Sequence, residues 1–509
     1  MTEVAPAALE DSAESRKQRL IDRVRQVLVE LDREPAGLPW GELWRRVESA
    51  WPQVADDEAP IGRNETRGQN NLHWYMVNLD KAGWVLTGVG NHRITKTGRR
   101  ALTDYSTSEE LFAAVEERSK SWERLKTKAS PPPGPAPDGG WQGIAPNRIG
   151  EVEMLAAART FLQNGLRAGG SVFDPGRRVW TAENIDRLHD AFVGNPDLGS
   201  RSFIDKLRDQ LAAVGDDVVL LAAELLSLLL LPADDIKPET KRTRVKEVLA
   251  MMAEPVHIPV EASAAMEHGV FGAGFVLRTL IWRSFSTVIE VVRAWWSLDD
   301  AARDRAWEDP WAWRDLVDSA EGDTIPGARA ELCYLLHPST FPGIVNKDDR
   351  ERIRKAFADV ADGLTGDLER DLYAITMALQ EQVGPGKVDF YRDPWVSRWR
   401  PSSPEPTGRR AWLVRSTQSG VLLLARWQAG ECVSVQATHL PALEAGTDSQ
   451  AIRAAVDAGY QHVDYAQRLA LANEYFDFLS RMKNGDIVAT IANDNLYAGV
   501  VAGEAEYRP

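Results

Sequence analysis

Two proline-rich interruptions limit what this chain can fold into. Ser130 to Gly143 reads SPPPGPAPDGGWQG, and Pro401 to Gly408 reads PSSPEPTG. Proline fixes φ and removes an amide donor, so neither stretch continues a helix or a central strand. A boundary therefore falls at each. The expected division is 16–128, 147–400 and 411–509, with linkers at 129–146 and 401–410 and a small-residue, acidic, disordered tail at 1–15. Length agrees, since domains of about 100–200 residues make three of 509. Inside the middle piece, Val218 to Leu231 reads VVLLAAELLSLLLL. It is shorter than the roughly 20 residues that span a bilayer, and it carries Glu224, so it predicts a central buried helix over Leu211–Leu231. Two cysteines, Cys333 and Cys432, exclude a disulfide framework or a Cys-rich zinc site and suit a reducing cytoplasm. No signal-peptide pattern opens the chain.

The first piece alternates helix and turn signals. Leu20, Val24, Val27, Leu28 and Leu31 predict a helix from Arg16 to Leu31. A second opens at Leu38-Pro39, with Leu43, Val47 and Trp51 on its inner face. A third covers Asn64–Ala82, with Leu72, Tyr75, Met76 and Leu79 inward. Short strands follow at Trp84–Leu86 and His92–Thr95 across Gly88-Val89-Gly90, then a small helix from Gly98 and a charged one over Ser108–Lys128. Three helices and a β-wing make a winged helix. A net charge of −15 disfavours indiscriminate nucleic-acid binding. A local basic face still suits DNA: Arg93, Lys96, Arg99 and Arg100 follow one another with no acid between. Arg67, Gln69, Asn70 and His73 on the third helix are types that read base edges or hold phosphates. The string WYMVNLDKAGWVLTGVGNHRITKTGRRAL, Trp74 to Leu102, resembles the N-terminal domain of Mrr-type restriction proteins. A winged helix used for protein contacts is the plainer alternative.

The middle piece predicts helices at Glu151–Leu166, after a Thr181 cap, and at Arg242–Met252, Phe275–Trp296 and Ile353–Ala361. Trp295, Trp296, Trp307, Trp311 and Trp313 fit a hydrophobic core better than a stacking platform. Lys347 to Lys355 reads as a basic turn. Three strings here, Leu231–Leu249, Leu335–Val360 and Val388–Trp399, resemble the helical domain that precedes the AAA+ motor in McrB-like subunits of modification-dependent restriction systems. The resemblance implies a McrC-like nuclease partner. It also implies an AAA+ GTPase domain, assembling as a ring, beyond Pro509, so the chain reads as cut short before it.

The last piece predicts strands at Trp412–Arg415, Gly420–Trp427 and Cys432–Ala437, and a helix at Ile452–Tyr460. Phe476, Leu479 and Met482 then mark a helix face, Asn484-Gly485-Asp486 breaks it, and strands Ile487–Ile491 and Leu496–Val501 flank a polar turn. Helix, Met-Lys-x-Gly-Asp, hairpin is similar to the core of PUA-like and EVE-like mixed β-barrels, which implies a pocket for an extruded base. Extrusion costs a few kcal/mol, so the pocket needs an aromatic wall and short polar groups. Trp412, Trp427 and Tyr497, expected on strands, are candidates for the wall. Ser434, Asn493, Asp494 and Asn495 are candidates for reading the base edge, and Asp494 can accept from a cytosine amino group. Taken singly, each of these residues reads better as core or turn, and base binding rests on the set.

Motifs that would make the chain an enzyme are missing. Gly384-Pro385-Gly386-Lys387-Val388 lacks the spacing and the Ser or Thr of a P-loop, no H-E-x-x-H occurs, and the eight His show no ligand spacing. Asp234, Asp235, Glu239 and Lys241 offer acid and base but read as surface charge. No cofactor is expected. The whole is expected to be α+β and multidomain: winged helix, mainly helical middle, and barrel. The resulting expectation is the DNA-binding specificity region of a McrB-like protein, recognising double-stranded DNA with a modified cytosine, methylation foremost, by base flipping. The alternatives are a winged-helix transcriptional or defence-island regulator with a ligand-sensing barrel, and an RNA-modification enzyme or RNA-binding adaptor.

Overall fold

Helix dominates, with small sheets beside it, so the architecture is α+β. The computed structural model describes residues 13–55, 57–61, 65–127, 142–197, 199, 201–272, 280–322, 324–400, 410–415, 417–418, 421–461, 463, 465–492 and 495–507. The chain forms two units, Met1–Arg400 and Pro401–Pro509. Most of the first expected linker, and all but one residue of the second, lies outside the described residues. The unit boundary falls at the second; the chain on both sides of the first belongs to one unit.

In the first unit, α1 (Ala13–Arg33) buries Val24, Val27, Leu28 and Leu31 at helical spacing. It begins at Ala13, so residues 13–15 of the expected tail are helical. Helix α2 (Trp40–Ala50) buries Leu43, Trp44 and Val47. Trp51 was expected beside them but is 40% exposed, because it is the residue that ends the helix and the helical period stops there. Two short strands, β1 (Pro60–Ile61) and β2 (Glu65–Thr66), pair where no strand was expected, and β2 takes the first residues of the helix expected from Asn64. Thr66 then caps α3 (Arg67–Lys81) by accepting from the Gln69 amide at 3.3 Å. Helix α3 buries Leu72, Tyr75, Met76 and Leu79, as its period requires. Strands β3 (Val85–Leu86) and β4 (Arg93–Ile94) pair antiparallel, and Leu38 bridges to His92 beside them. Helices α4 (Lys96–Asp104) and α5 (Ser108–Thr127) follow.

Helix α6 (Glu151–Thr160) runs on as a π-helix, Phe161–Arg167. Then come α7 (Ala182–Phe192), capped by Thr181 as expected, α8 (Phe203–Gln210), α9 (Asp216–Leu230), α10 (Pro238–Leu249) and α11 (Val260–Ala265). Helices α12 (Ile281–Ser297), α13 (Asp300–Glu308), α14 (Pro310–Ser319), α15 (Pro326–Leu336), α16 (Lys347–Ala356), α17 (Leu368–Val383) and α18 (Trp395–Trp399) complete the body. Helix α9 is its axis, with every residue from Val218 to Leu230 buried. Gly215, at φ +82°, delays its start beyond the expected Leu211. Among the described residues no helix is long and apolar enough to cross a membrane. Trp295 and Trp313 pack edge-on in the core, 6.1 Å apart. The basic stretch from Lys347 is helix rather than turn, because Asn346 caps it by accepting from the Asp349 amide at 3.1 Å.

The second unit opens with β5 (Ala411–Leu413), β6 (Thr417–Gln418) and β7 (Val421–Leu422). Helices α19 (Leu424–Gly430), α20 (Ser449–Gly459) and α21 (Tyr465–Phe476) follow, the last continuing as a π-helix, Asp477–Arg481. Strands β8 (Ile487–Ala492) and β9 (Asn495–Val500) form the expected hairpin, and β5 adds to β8 in parallel, giving the order β5-β8-β9. Two expectations need correction. The apolar run expected as a strand to Trp427 turns into helix α19, which buries Leu424 and Trp427, and 432–437 carries no strand. Consequently the described residues form a three-stranded sheet and a separate two-stranded pair, not a closed barrel.

Candidate nucleic-acid interface

Helix α3 turns one stripe outward. Positions 70, 73, 74 and 77 recur at helical spacing opposite Leu72, Tyr75, Met76 and Leu79. Asn70 is half-buried, while Asn71, His73, Trp74 and Val77 are exposed, Trp74 most of all at 72%. His73 stacks on Trp40 with ring centroids 4.7 Å apart, and its Nδ1 lies 3.4 Å from Glu65. The stack fixes the imidazole at the centre of the stripe. Arg67 and Gln69 sit half-buried in the first turn. Sequence reasoning missed Asn71 and Trp74, although the complement of the inward period marks Trp74 as outward.

The cations expected on the wing have another use. The Arg93 guanidinium donates five hydrogen bonds to four main-chain carbonyls: Pro35 O at 3.0 and 2.7 Å, Met252 O at 2.7 Å, Ala253 O at 3.2 Å, and Ala250 O. Burial lowers its pKa from the usual range. Lys96 Nζ pairs with Asp174 at 2.9 Å, and its amide donates to Pro255 O. Arg99 bridges Asp32 at 3.0 Å and Glu254 at 3.4 Å. Leu86 and Val89, at the tip of the hairpin, pack into the hydrophobic core of the helical body. Around them Lys246 holds Asp80 at 2.9 Å, and Trp122 Nε1 donates to Ser263 Oγ at 3.1 Å. Gly83, at φ +78°, lies against His257; a Cβ there would come within 2.5 Å of the imidazole. Arg93, Lys96 and Arg99 therefore join two parts of one unit and are not presented together for DNA. Lys96 and Arg100 are the exposed ones of the four, and of these two only Lys96 has an ion pair among the described residues.

In the second unit the expected pocket residues divide. Paired positions share a face, so Trp412, Val488, Thr490, Tyr497 and Asn495 lie on one side of the sheet. Trp412 and Tyr497 are half-buried, and Asn495 is exposed. The Trp412 indole donates to Asp486 Oδ2 at 2.8 Å, which fixes its plane. The Arg410 and Lys483 amides also donate to Asp486, each at 3.0 Å. Hydrogen bonds from Arg410, Trp412 and Lys483 hold its pKa below the usual carboxylate range. Thr490, directly opposite Tyr497, is buried, and its Oγ1 has no hydrogen-bond partner among the described residues. It is a second polar group on this face that the sequence did not single out. Trp427 and Ser434 leave the set: the Trp427 indole is buried on α19 and donates to Ser434 Oγ at 2.9 Å, so the two satisfy each other. Asn493 and Asp494 lie outside the described residues.

The acid-base group at Asp234–Lys241 is not surface charge throughout. Lys241 is 1% exposed, and its ammonium donates to Leu231 O at 3.0 Å and His268 O at 3.4 Å. Burial brings its pKa down to about 8. Among the described residues no group of three or more His, Cys, Asp or Glu could hold a metal ion. Comparison with family models, curated proteins and solved structures gives no match for this chain.

Proposed function

We propose that this chain is a DNA-binding specificity protein of the McrB-like, modification-dependent type. The reading rests first on the outward stripe of α3. Asn70, Asn71 and His73 carry hydrogen-bonding groups suited to base edges and phosphates, and Trp74 adds an aromatic surface. The order of α1, the Leu38 bridge, α2, α3 and the β3-β4 hairpin fits a winged helix. With the hairpin tied to the helical body, α3 carries the duplex contact, helped by Arg67 and Arg100. The aromatic side of the C-terminal sheet, Trp412, Tyr497, Thr490 and Asn495, is the proposed place for a flipped, modified cytosine. The indole and phenol would stack on it, and Thr490 Oγ1 would bond its edge. Cleavage would fall to a McrC-like nuclease, with a nucleotide-driven ring supplying movement.

Fluorescence anisotropy at fixed salt, with matched plain and cytosine-modified duplexes, tests this. Both duplexes should bind, the modified one more tightly. Asn70→Ala with His73→Ala should weaken both, and Trp412→Ala with Tyr497→Ala should remove only the difference. Equal binding of both duplexes by the unaltered chain would refute modification reading, and no binding would refute the DNA contact.

A further inference from the structure

The other side of the C-terminal sheet is built for a different purpose. By the pairing register, Ala411, Leu413, Ile487, Ala489, Ile491, Leu496, Ala498 and Val500 share that face. None carries a charge or a hydrogen-bonding side chain. Leu413 is 68% exposed, Ile487 38%, Ile491 64%, Leu496 68% and Val500 58%. Nothing among the described residues covers them. The relief is regular. Ile487 and Val500 form one ridge, Ile491 and Leu496 a second, and Ala489 and Ala498 the furrow between.

We infer that this face docks a second copy of the chain, sheet against sheet. A two-fold contact needs a surface complementary to itself, and ridges flanking a furrow of alanines supply one. Stacked sheets interlock in this way about 10 Å apart. Those exposures correspond to an apolar area of roughly 500–600 Å² per copy. Burying it twice reaches about 1,000–1,200 Å², the lower range of a specific interface. A continuous apolar patch of that size is more than scattered surface residues provide. Charge argues the same way. Two copies that each carry −15 repel at most surfaces. A face with no charged side chain lets them meet without burying like charges, and it offers no polar group to select a different partner. The aromatic side of each sheet faces away from the contact.

Sedimentation velocity of the full chain from nanomolar to tens of micromolar is the test. A reversible dimer is expected. Ile491→Lys with Leu496→Lys should raise its dissociation constant at least a hundredfold, with far-ultraviolet circular dichroism unchanged and the urea midpoint unchanged at concentrations where the parent chain is monomeric. In a Cys432→Ser background, Ala498→Cys should form an intermolecular disulfide under mild oxidation. Tyr497→Cys, on the opposite face, should not. Three results would overturn the inference: a monomer at every concentration, meaning that another protein or another part of the chain covers the face; a dimer that survives the double lysine variant; or a dimer in which Ala498→Cys fails to cross-link.

Discussion

Helix α3 and the β4–α4 segment both carry the polar and cationic side chains expected of a DNA-binding module. Arg93, Lys96 and Arg99 turn toward carbonyls and carboxylates of the same chain, whereas Asn71, His73 and Trp74 face solvent. The difference lies in what stands within reach. A guanidinium leaving water needs several fixed acceptors, and the turn at Ala250–Ala253 presents them. Along the outer stripe of α3, His73 has the Glu65 carboxylate 3.4 Å away, and Asn71, Trp74 and Val77 are exposed. Cationic sequence therefore identifies a binding surface only where the fold does not supply the counter-charge first.

The largest expected effect tests the inward side. Arg93→Ala strips donors from four main-chain carbonyls and should lower stability by about 3–4 kcal/mol, read as a drop in the urea midpoint. If Arg93 instead held phosphate, DNA affinity would fall and the midpoint would stay.

Acid should loosen the same contact. Burial brings His257 down to about 4, below the 6.5 of an unfolded histidine. The unfolded chain then binds the proton first. Stability from this group is complete above pH 6.5 and declines as pH falls toward 4, by up to about 3 kcal/mol. His257→Gln should flatten that part of the stability-pH curve.

The outward side should respond in affinity rather than stability. Asn70→Ala should weaken duplex binding about tenfold, equivalent to about 1.4 kcal/mol, with an unchanged melting temperature. An unchanged affinity would make the stripe a protein-contact surface. Smallest is the Asp80–Lys246 pair. A double-mutant cycle there should give a coupling of about 1 kcal/mol, since both side chains are partly solvated.

Features set by local chemistry were legible in the chain. The inward residues of α3 follow from spacing, the burial of α9 from an apolar run too short for a bilayer, and the C-terminal hairpin from its turn residues. Features set by distant contacts were not. Arg93 meets carbonyls some 160 residues away, and β5 pairs with β8 more than seventy positions later. The run ending at Trp427 suits helix or strand equally, and burial against neighbouring elements decided it. Of the candidate pocket, Trp412 and Tyr497 were legible as aromatic candidates on strands, but that they share a face follows from the β5-β8-β9 register, which the sequence does not carry. Thr490 was overlooked because a threonine in a strand is ordinary until its hydroxyl is found without a partner.

The Glu224 carboxylate accepts from Ser171 Oγ, from the amides of Val172 and Phe173 at 3.1 and 2.9 Å, and from Trp180 Nε1 at 2.6 Å. Ser171 Oγ in turn receives the Asp174 amide at 2.8 Å, and Asp174 holds Lys96. Traction applied at α4 thus has a short load path, through one ion pair and one pinned turn, into the central helix.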